Sequence, residues 1–309
     1  MDVPAGISFV AALITAAAAC AGAVLARGTT AVPAAWWACG AAIAFAVEVG
    51  IRGGGGLVDP AARASARLAV AALSLCPIMS LLGAKRPQHG VWQFIVASLA
   101  GIVALPAASA ALVRPGSFPD VHPLQRWFML ALAVVAAMNF AATRHGAAAG
   151  LVAIGQMILM RQFMPFVEAG GHPDAVVDAS AAALVAAGAA IAAAQSWLWP
   201  VRLVTARDQV AQMSAGPARQ TDPAAFGAAY LALRETLGAA WTLRIAERFN
   251  AVAESRGWPC RLRFDGLHVG GDPEDRQWHA DAVRTGRALL LRFVSPGWIR
   301  RHSVDAENA

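Results

Sequence analysis

Four ionisable side chains lie near the ends of long apolar segments, where a charge is costly to bury. Glu48 is near the end of one such segment, Arg161 and Glu168 are seven residues apart near the end of another, and Asp178 is at the start of a third. Such groups cost about 3 kcal/mol or more in a bilayer, so they usually pair with one another or line a pathway. A polar cluster or vestibule formed by these four residues is therefore one hypothesis, and it makes them candidates for a substrate pathway. The alternative is that each side chain reaches the headgroup region separately.

A second group of polar residues interrupts the apolar sequence at 83–90, GAKRPQHG. Lys85 is the only lysine among the 25 basic residues, and Arg86 follows it. A compact ammonium and a planar guanidinium recognise anions differently. Lys85 and Arg86 are therefore candidates for docking an acidic partner or a lipid headgroup. The simpler alternative is a turn, in which Gly83 ends a helix with positive φ.

Motifs for catalysis or metal binding are missing from the sequence. It has no phosphate-binding loop, nucleophile elbow or H-E-x-x-H pattern. None of the four cysteines forms a C-x-x-C pair. Asp275 and His279 are four residues apart, a spacing that can hold a metal ion on one face of a helix. However, the helix dipole also favours acidic residues in the first turn of a helix. We expect no metal and no cofactor, and we favour a non-catalytic role over an enzyme.

The elements that carry these residues are apolar segments of membrane length. The chain is 58% hydrophobic and 14% charged, where soluble domains have about 25% charged residues. About 20 apolar residues are needed to cross a bilayer as a helix. We predict seven such helices within a membrane domain at residues 1–203: about 5–26, 31–51, 66–83, 91–113, 127–143, 147–167 and 176–199. The sixth contains Gln156, Arg161, Gln162 and Pro165, so six spans with a re-entrant or surface segment at 147–167 is the alternative.

The orientation follows from the first helix, because the loop charges divide equally. Six Lys or Arg residues fall on each side of the predicted bundle, which leaves the positive-inside rule undecided. The first helix has no Lys or Arg before it and Arg27 after it. We predict a multi-pass protein of the cell inner (cytoplasmic) membrane with its N-terminus outside and its C-terminus cytoplasmic.

Residues 204–309 have a different character and predict a small cytoplasmic α+β domain. Asp222-Pro223 is a typical helix start, and the apolar spacing beyond it indicates one long helix or two broken near Gly238. Asp265-Gly266 predicts a two-residue hairpin turn that places Leu262 opposite Val269. A further helix follows, so the overall fold class is an all-α polytopic membrane bundle with a C-terminal α+β soluble domain.

Three hypotheses on function remain from the sequence. The first is a non-catalytic scaffold or assembly factor that recruits a membrane or cytoplasmic protein through the C-terminal domain. The second is a small-solute transporter that uses Glu48, Arg161, Glu168 and Asp178. The third is a membrane enzyme with a vestibule site. The lipid bilayer is a partner in each, and nucleic acid is not expected because the basic residues are interleaved with acids.

Overall fold

A computed structural model describes residues 3–57, 59–84, 89–167, 174–198, 223–270 and 278–303. The chain divides into two compact units. The first unit comprises 1–27, 31–84 and 88–196, and the second comprises 197–309 together with 28–30 and 85–87. Each unit has its own hydrophobic core.

The first unit is a bundle of helices. They are α1 (Val3–Leu25), α2 (Val32–Gly53), α3 (Pro60–Leu82), α4 (His89–Leu112), α5 (Pro123–Ala141), α6 (Gly146–Leu159) and α7 (Ala175–Leu198). All of these except α6 are long and apolar enough to cross a membrane, as in a multi-pass membrane protein. Large apolar side chains on the outer faces, such as Phe94, Leu105 and Leu112, are more than 60% exposed, which suits contact with lipid.

The sixth segment is shorter than the sequence suggests. Helix α6 has 14 residues, which is about 21 Å of helix at 1.5 Å per residue, against a hydrocarbon thickness of about 30 Å. A single 3-10 turn, Arg161–Phe163, follows it. Met164 is then extended, with ψ 151°, as expected for a residue before proline. Six membrane-length helices are therefore present in the described residues, and a seventh span at 147–167 stays a prediction.

Helix α3 begins at Pro60 instead of the predicted residue 66. Asp59 accepts hydrogen bonds from the backbone N–H groups of Ala61 and Ala62, and Pro60 occupies the first helical position. Both features favour a helix start. Helix α5 begins early for the same reason, with His122 as the N-cap and Pro123 after it. The early start of α3 places Arg67 two turns inside the helix.

Small residues allow close packing at the centre of the bundle. One apolar core joins α1, α2 and α7 through Ala11, Ala12, Phe45, Ala46, Val49, Ala182 and Ala186. Helices α6 and α7 approach each other closely at Gly155 and Gly188. A Cβ atom on Gly155 would lie 2.6 Å from the carbonyl oxygen of Ala181, and one on Gly188 would lie 2.6 Å from that of Ala148. Such glycines let helix backbones meet in a membrane bundle.

Gly83 ends α3 for a reason other than the predicted positive φ. Its φ is −100°, which any residue can adopt. The Trp92 ring occupies the space that a side chain on Gly83 would need. Trp92 Nε1–H also donates to the carbonyl oxygen of Met79 at 2.8 Å. Gly83 is therefore required by packing and not by backbone conformation.

The second unit is a small α+β assembly. It contains α8 (Pro223–Leu237), α9 (Ala239–Ser255), β1 (Cys260–Arg263), β2 (Gly266–Val269), α10 (His279–Leu290) and α11 (Pro296–His302). Gly238, at φ +75°, separates α8 from α9. Among its fully buried side chains are Tyr230, Leu233, Leu237, Phe249, Leu262, Leu290 and Ile299. Burial raises the pKa of Tyr230 well above its ordinary value and that of the Cys260 thiol to about 11.

The β1–β2 hairpin turns one residue earlier than predicted. Leu262 pairs with Leu267, and Cys260 pairs with Val269, so the sequence-based pairing of Leu262 with Val269 was wrong. The shift leaves each side chain on its predicted face, because moving the turn by one residue changes the pairing by two. Asn250 on α9 closes the outer edge of β1, donating to the Leu262 carbonyl and accepting from its N–H, both at 2.8 Å.

Residues 28–30 take part in the hydrogen bonding of the second unit. Thr30 N–H donates to the Phe293 carbonyl and Ser295 N–H donates to the Gly28 carbonyl, both at 2.7 Å. Gly28 has φ +87°, and a Cβ there would lie 2.9 Å from Ser295 Oγ. Glycine is therefore needed at this position both for the backbone conformation and for space.

We expect Gly155→Ala to destabilise the bundle, because the added methyl would press on the rigid backbone of α7. Overpacking of this kind costs about 1–3 kcal/mol. Gly150→Ala on the same helix is the matched control, since a Cβ there would meet no neighbouring side chain or helix within 4 Å. The midpoint of unfolding in detergent should fall for the first variant and stay equal or rise for the second. Equal midpoints for the two variants would contradict the close α6–α7 contact.

Candidate functional site

A cluster of five charged side chains lies inside the first unit. Asp178, near the start of α7, accepts a hydrogen bond from Arg161 Nη1 at 2.6 Å and another from Arg52 Nη1 at 2.9 Å. Arg67 Nη2 lies 3.5 Å from the same carboxylate. Three guanidinium groups from three different elements therefore surround one aspartate.

Glu48 extends the cluster to the side of α2. Arg67 Nη2 donates to both of its carboxylate oxygens, at 3.1 and 3.2 Å. The Arg67 guanidinium also lies over the Phe45 ring, 5.7 Å from its centroid. Its Nε is buried and has no hydrogen-bond partner among the described residues. Arg67 is thus the link between the two buried carboxylates.

The side chains of this charge cluster (Glu48, Arg52, Arg67, Arg161 and Asp178) differ in how much of their surface is exposed. The side chains of Glu48, Asp178 and Arg67 are 3%, 6% and 7% exposed, that of Arg52 is 17% and that of Arg161 is 30%. The carboxylates are therefore covered, and Arg52 and Arg161 are partly exposed. Three positive and two negative groups leave a net charge of +1 on these five residues.

The local fold explains why these side chains meet. Glu48 and Arg52 are four residues apart on α2, so they lie on one face of that helix. Helix α2 ends and α3 begins at the same end of the α2–α3 pair, which places Arg67 beside Glu48. Arg161 is in the 3-10 turn after α6, and Asp178 is in the first turn of α7. Four elements of the bundle contribute to one site.

Further polar side chains lie along α3 beyond the charge cluster. Gln156 Nε2 donates to Ser74 Oγ at 2.8 Å, and Ser74 is two turns from Arg67 on the same face of α3. Nearer the end of α3, Ser80 Oγ donates to Gln93 Oε1 at 3.1 Å, as does Trp37 Nε1 at 2.8 Å. Gln93 Nε2 is buried without a hydrogen-bond partner among the described residues. Polar groups therefore recur from one end of α3 to the other.

The structure brings together three of the four residues predicted for the cluster. Arg161 and Asp178 form a direct ion pair, and Glu48 joins them through Arg67. Glu168 lies outside the described residues. The predicted helical relation of Arg161 to Glu168 was wrong, because α6 ends at Leu159. Lys85 and Arg86, predicted to dock a partner or headgroup, also lie outside the described residues.

Sequence reasoning missed Arg52 and Arg67, because the predicted bounds of 31–51 and 66–83 place them at helix ends beside a loop. Two signals could have found them. Asp59-Pro60 marks the start of α3 and places Arg67 well inside the helix. The four-residue spacing of Glu48 and Arg52 places both on one face of α2. Each residue was therefore identifiable once the helix boundaries were correct.

The five described members of the charge cluster are arginines and carboxylates only. Carboxylates can act as general bases or nucleophiles, but both of these are paired with arginine. Arginine binds carboxylate and phosphate through paired, directional hydrogen bonds. Within the described parts of the chain, no group of three or more His, Cys, Asp or Glu residues could hold a metal ion.

Comparison of the chain with protein-family models, with curated proteins and with solved structures gives no match. The charge cluster is therefore interpreted from its own geometry.

We expect Arg67→Met to destabilise the bundle strongly, because it removes the described partner of Glu48 and leaves that carboxylate buried. Loss of one member of a buried pair costs about 3–5 kcal/mol. The double variant Glu48→Gln/Arg67→Met should recover much of this, since no charge at Glu48 then remains unpaired. Thermal unfolding in detergent measures both effects.

Arg114→Met provides the control for loss of an arginine. Arg114 is exposed just after α4, so its replacement should change the free energy of unfolding by less than about 0.5 kcal/mol. If Arg67→Met lowered the free energy of unfolding as little as Arg114→Met, the buried ion pair between Arg67 and Glu48 would be contradicted.

Proposed function

We propose that this protein is a small-solute transporter whose binding site is the charge cluster. The observation that carries the proposal is the environment of Asp178, which is 4% exposed and bonded to Arg52 and Arg161. Buried ion pairs contribute little net stability compared with apolar packing. Ionisable groups inside a membrane bundle are instead typical of substrate and ion pathways.

The position of Arg161 supports binding by exchange of partners. It is the most exposed member of the charge cluster, and it lies on a non-helical segment between α6 and α7. An anionic solute that reaches Arg161 would compete with Asp178 for the same guanidinium. Release of Asp178 would shift its charge toward Arg52 and Arg67, so that one binding event alters contacts among α2, α3 and α7.

The irregular backbone beside Arg161 is a second supporting feature. Met160, Phe163 and Met164 are each less than 10% exposed, so this segment is packed inside protein. Non-helical backbone in a membrane protein is tolerated where it is buried in protein or lines a cavity. Interrupted helices next to binding sites are typical of transporters. Beyond the charge cluster, Ser74 with Gln156 and Ser80 with Gln93 offer further polar positions for a solute.

The proposal also includes the membrane in which the protein lies and its orientation there. Arg27, which follows α1, favours a cytoplasmic end for this helix and therefore an outside start. The second unit is then cytoplasmic, and the membrane is the cell inner membrane. With this orientation, the charge cluster faces the outside, because α2 ends and α3 begins on the side where α1 starts.

We expect Asp178→Asn to abolish transport in proteoliposomes. Succinate, glutamate, inorganic phosphate and glycerol 3-phosphate are suitable probes, since each offers an anionic group to Arg161. At least one should give saturable uptake by the wild-type protein, and Asp178→Asn should reduce that rate at least tenfold, on the order of a lost charge-assisted contact. Glu48→Gln should reduce uptake as well.

Asp59→Asn is the matched control for the transport assay. It makes the same chemical change at the start of α3, and asparagine caps a helix as well as aspartate does. Uptake should therefore be unaffected. Equal rates for Asp178→Asn and wild type would exclude this site, and an absence of saturable uptake for every probe would contradict anion transport.

A second candidate function, recruitment of a partner protein, is supported by the edge of β2. The register places the backbone groups of Leu267 and Val269 on the side away from β1, and they have no backbone hydrogen bond among the described residues. Asn250 closes the corresponding edge of β1. An open strand edge can accept an extended peptide. In this case the protein would be a scaffold or assembly factor acting through residues 204–309.

We expect Val269→Pro to abolish recruitment, because proline removes the outward N–H and leaves the bonds of β2 to β1 in place. Val269→Ala keeps the N–H and serves as the control. Native purification with mass spectrometry should find one stoichiometric protein with wild type and Val269→Ala. That protein should be lost with Val269→Pro and on removal of residues 204–309. If the full-length wild-type chain purifies without a bound protein, recruitment of a partner is contradicted.

A further inference from the structure

A basic cleft in the second unit has no partner within the described residues. It has a volume of about 290 Å³ and lies between α9 and the residues around the end of α10. Trp241, Ile245 and Phe293 are the buried apolar residues that line it. Arg244, Arg248 and Arg292 are the exposed residues at its rim, together with Glu247.

The three rim arginines differ from Arg52, Arg67 and Arg161 of the charge cluster in having no carboxylate nearby among the described residues. No carboxylate oxygen in the described part of the second unit lies within 4 Å of Arg244, Arg248 or Arg292. Glu247 likewise has no ion pair there. The described residues therefore give the cleft three positive charges and one negative charge.

The geometry of the cleft is fixed by aromatic packing. The Arg244 guanidinium lies over the Trp241 ring at 5.1 Å, and Trp241 packs against Phe293 with ring centroids 5.0 Å apart. Arg244 and Arg248 are one turn apart on α9, so their side chains lie on the same face. Phe293 is held by the hydrogen bond from Thr30 to its carbonyl. The guanidinium groups are thus presented on a rigid base.

The net charge of the C-terminal part of the chain has the same sign as the cleft. Residues 197–309 contain fifteen arginines and twelve Asp or Glu residues, a net charge of +3. Leu243 and Leu291, the sequence neighbours of Arg244 and Arg292, are 53% and 40% exposed. A basic surface with exposed apolar side chains is typical of proteins that lie on anionic bilayers.

We infer that this cleft binds the phosphate headgroup of an anionic lipid and so holds the second unit on the membrane surface. Anionic lipid is the occupant we favour over a soluble phosphate because the unit is tethered to the membrane-length helix α7 by residues 199–222. Even fully extended, these 24 residues reach about 80 Å. Each arginine near an anionic surface strengthens binding about fivefold, so three account for roughly a hundredfold.

The test uses the full chain in nanodiscs of phosphatidylcholine alone and of phosphatidylcholine mixed with phosphatidylglycerol. Amide hydrogen exchange is followed at residues 239–255 and 289–293. We expect exchange there to slow several-fold in the anionic discs and this protection to weaken at high salt. The variant Arg244→Gln/Arg248→Gln/Arg292→Gln should lose the protection.

The control variant is Arg261→Gln/Arg284→Gln/Arg300→Gln, which removes the same charge from exposed positions outside the cleft. It should retain the protection, and its overall exchange pattern shows whether such variants still fold. Equal exchange in neutral and anionic discs, or equal loss in both triple variants, would overturn the inference.

Two further outcomes would reassign the cleft. Protection by soluble glycerol phosphate in neutral discs, without any in anionic discs, would replace the lipid by a soluble phosphate. Protection that requires an added acidic protein, and that phosphatidylglycerol does not give, would replace it by a protein surface. Either result would overturn the lipid assignment.

Discussion

The arrangement of the bundle depends on one constraint, which is that a charge removed from water must find its counter-charge within the protein. Asp178 and Glu48 are both covered, and three arginines surround them. Because the partners come from α2, α3, α7 and the turn after α6, these elements cannot separate without exposing a charge to lipid. In the proposed transport function, an anionic solute would act on this constraint by offering Arg161 an alternative partner.

Small residues make this constraint possible to satisfy. The core between α1, α2 and α7 is mostly alanine, and Gly155 and Gly188 bring the backbones of α6 and α7 together. Because the helices pack closely, the distance between neighbouring helices is short. An arginine side chain on one helix can therefore reach a carboxylate on the next. The high alanine content of the apolar segments therefore has a structural use in this bundle.

The sequence predicted the apolar helices well because their length and hydrophobicity are local properties. The boundaries were predicted less accurately, and the charge cluster depends on them. With α3 starting at residue 66, Arg67 falls at the helix end beside a loop. With Asp59 and Pro60 as its start, Arg67 lies within the bundle and joins Glu48 to Asp178. The pairing of Arg161 with Asp178 is a tertiary contact set by the non-helical turn after α6, and no periodicity in the sequence could have specified it.

The hairpin illustrates a different limit. Period-two alternation determined which residues share a face, but the turn position depended on Gly266, whose φ is +135°. Either Asp265-Gly266 or Phe264-Asp265 can form the two central residues of the turn. Gly266 lies within the turn in the first case and directly after it in the second. Asn250 favours the observed choice, because its side chain bonds to both backbone groups of Leu262. A contact from a neighbouring helix thus decided a register that the local sequence left open.

Arginine has opposite uses in the two units, and the difference lies in where its counter-charge is found. In the bundle, Arg52, Arg67 and Arg161 are paired with carboxylates of the chain itself, so a solute that binds there, as proposed, would displace an existing partner. In the second unit, Arg244 lies over the Trp241 ring, and none of Arg244, Arg248 and Arg292 forms an ion pair among the described residues. An anion from outside would lower their electrostatic free energy. Under the two proposals made above, the first arrangement suits exchange of partners in a transport cycle, and the second suits stable attachment to an anionic surface.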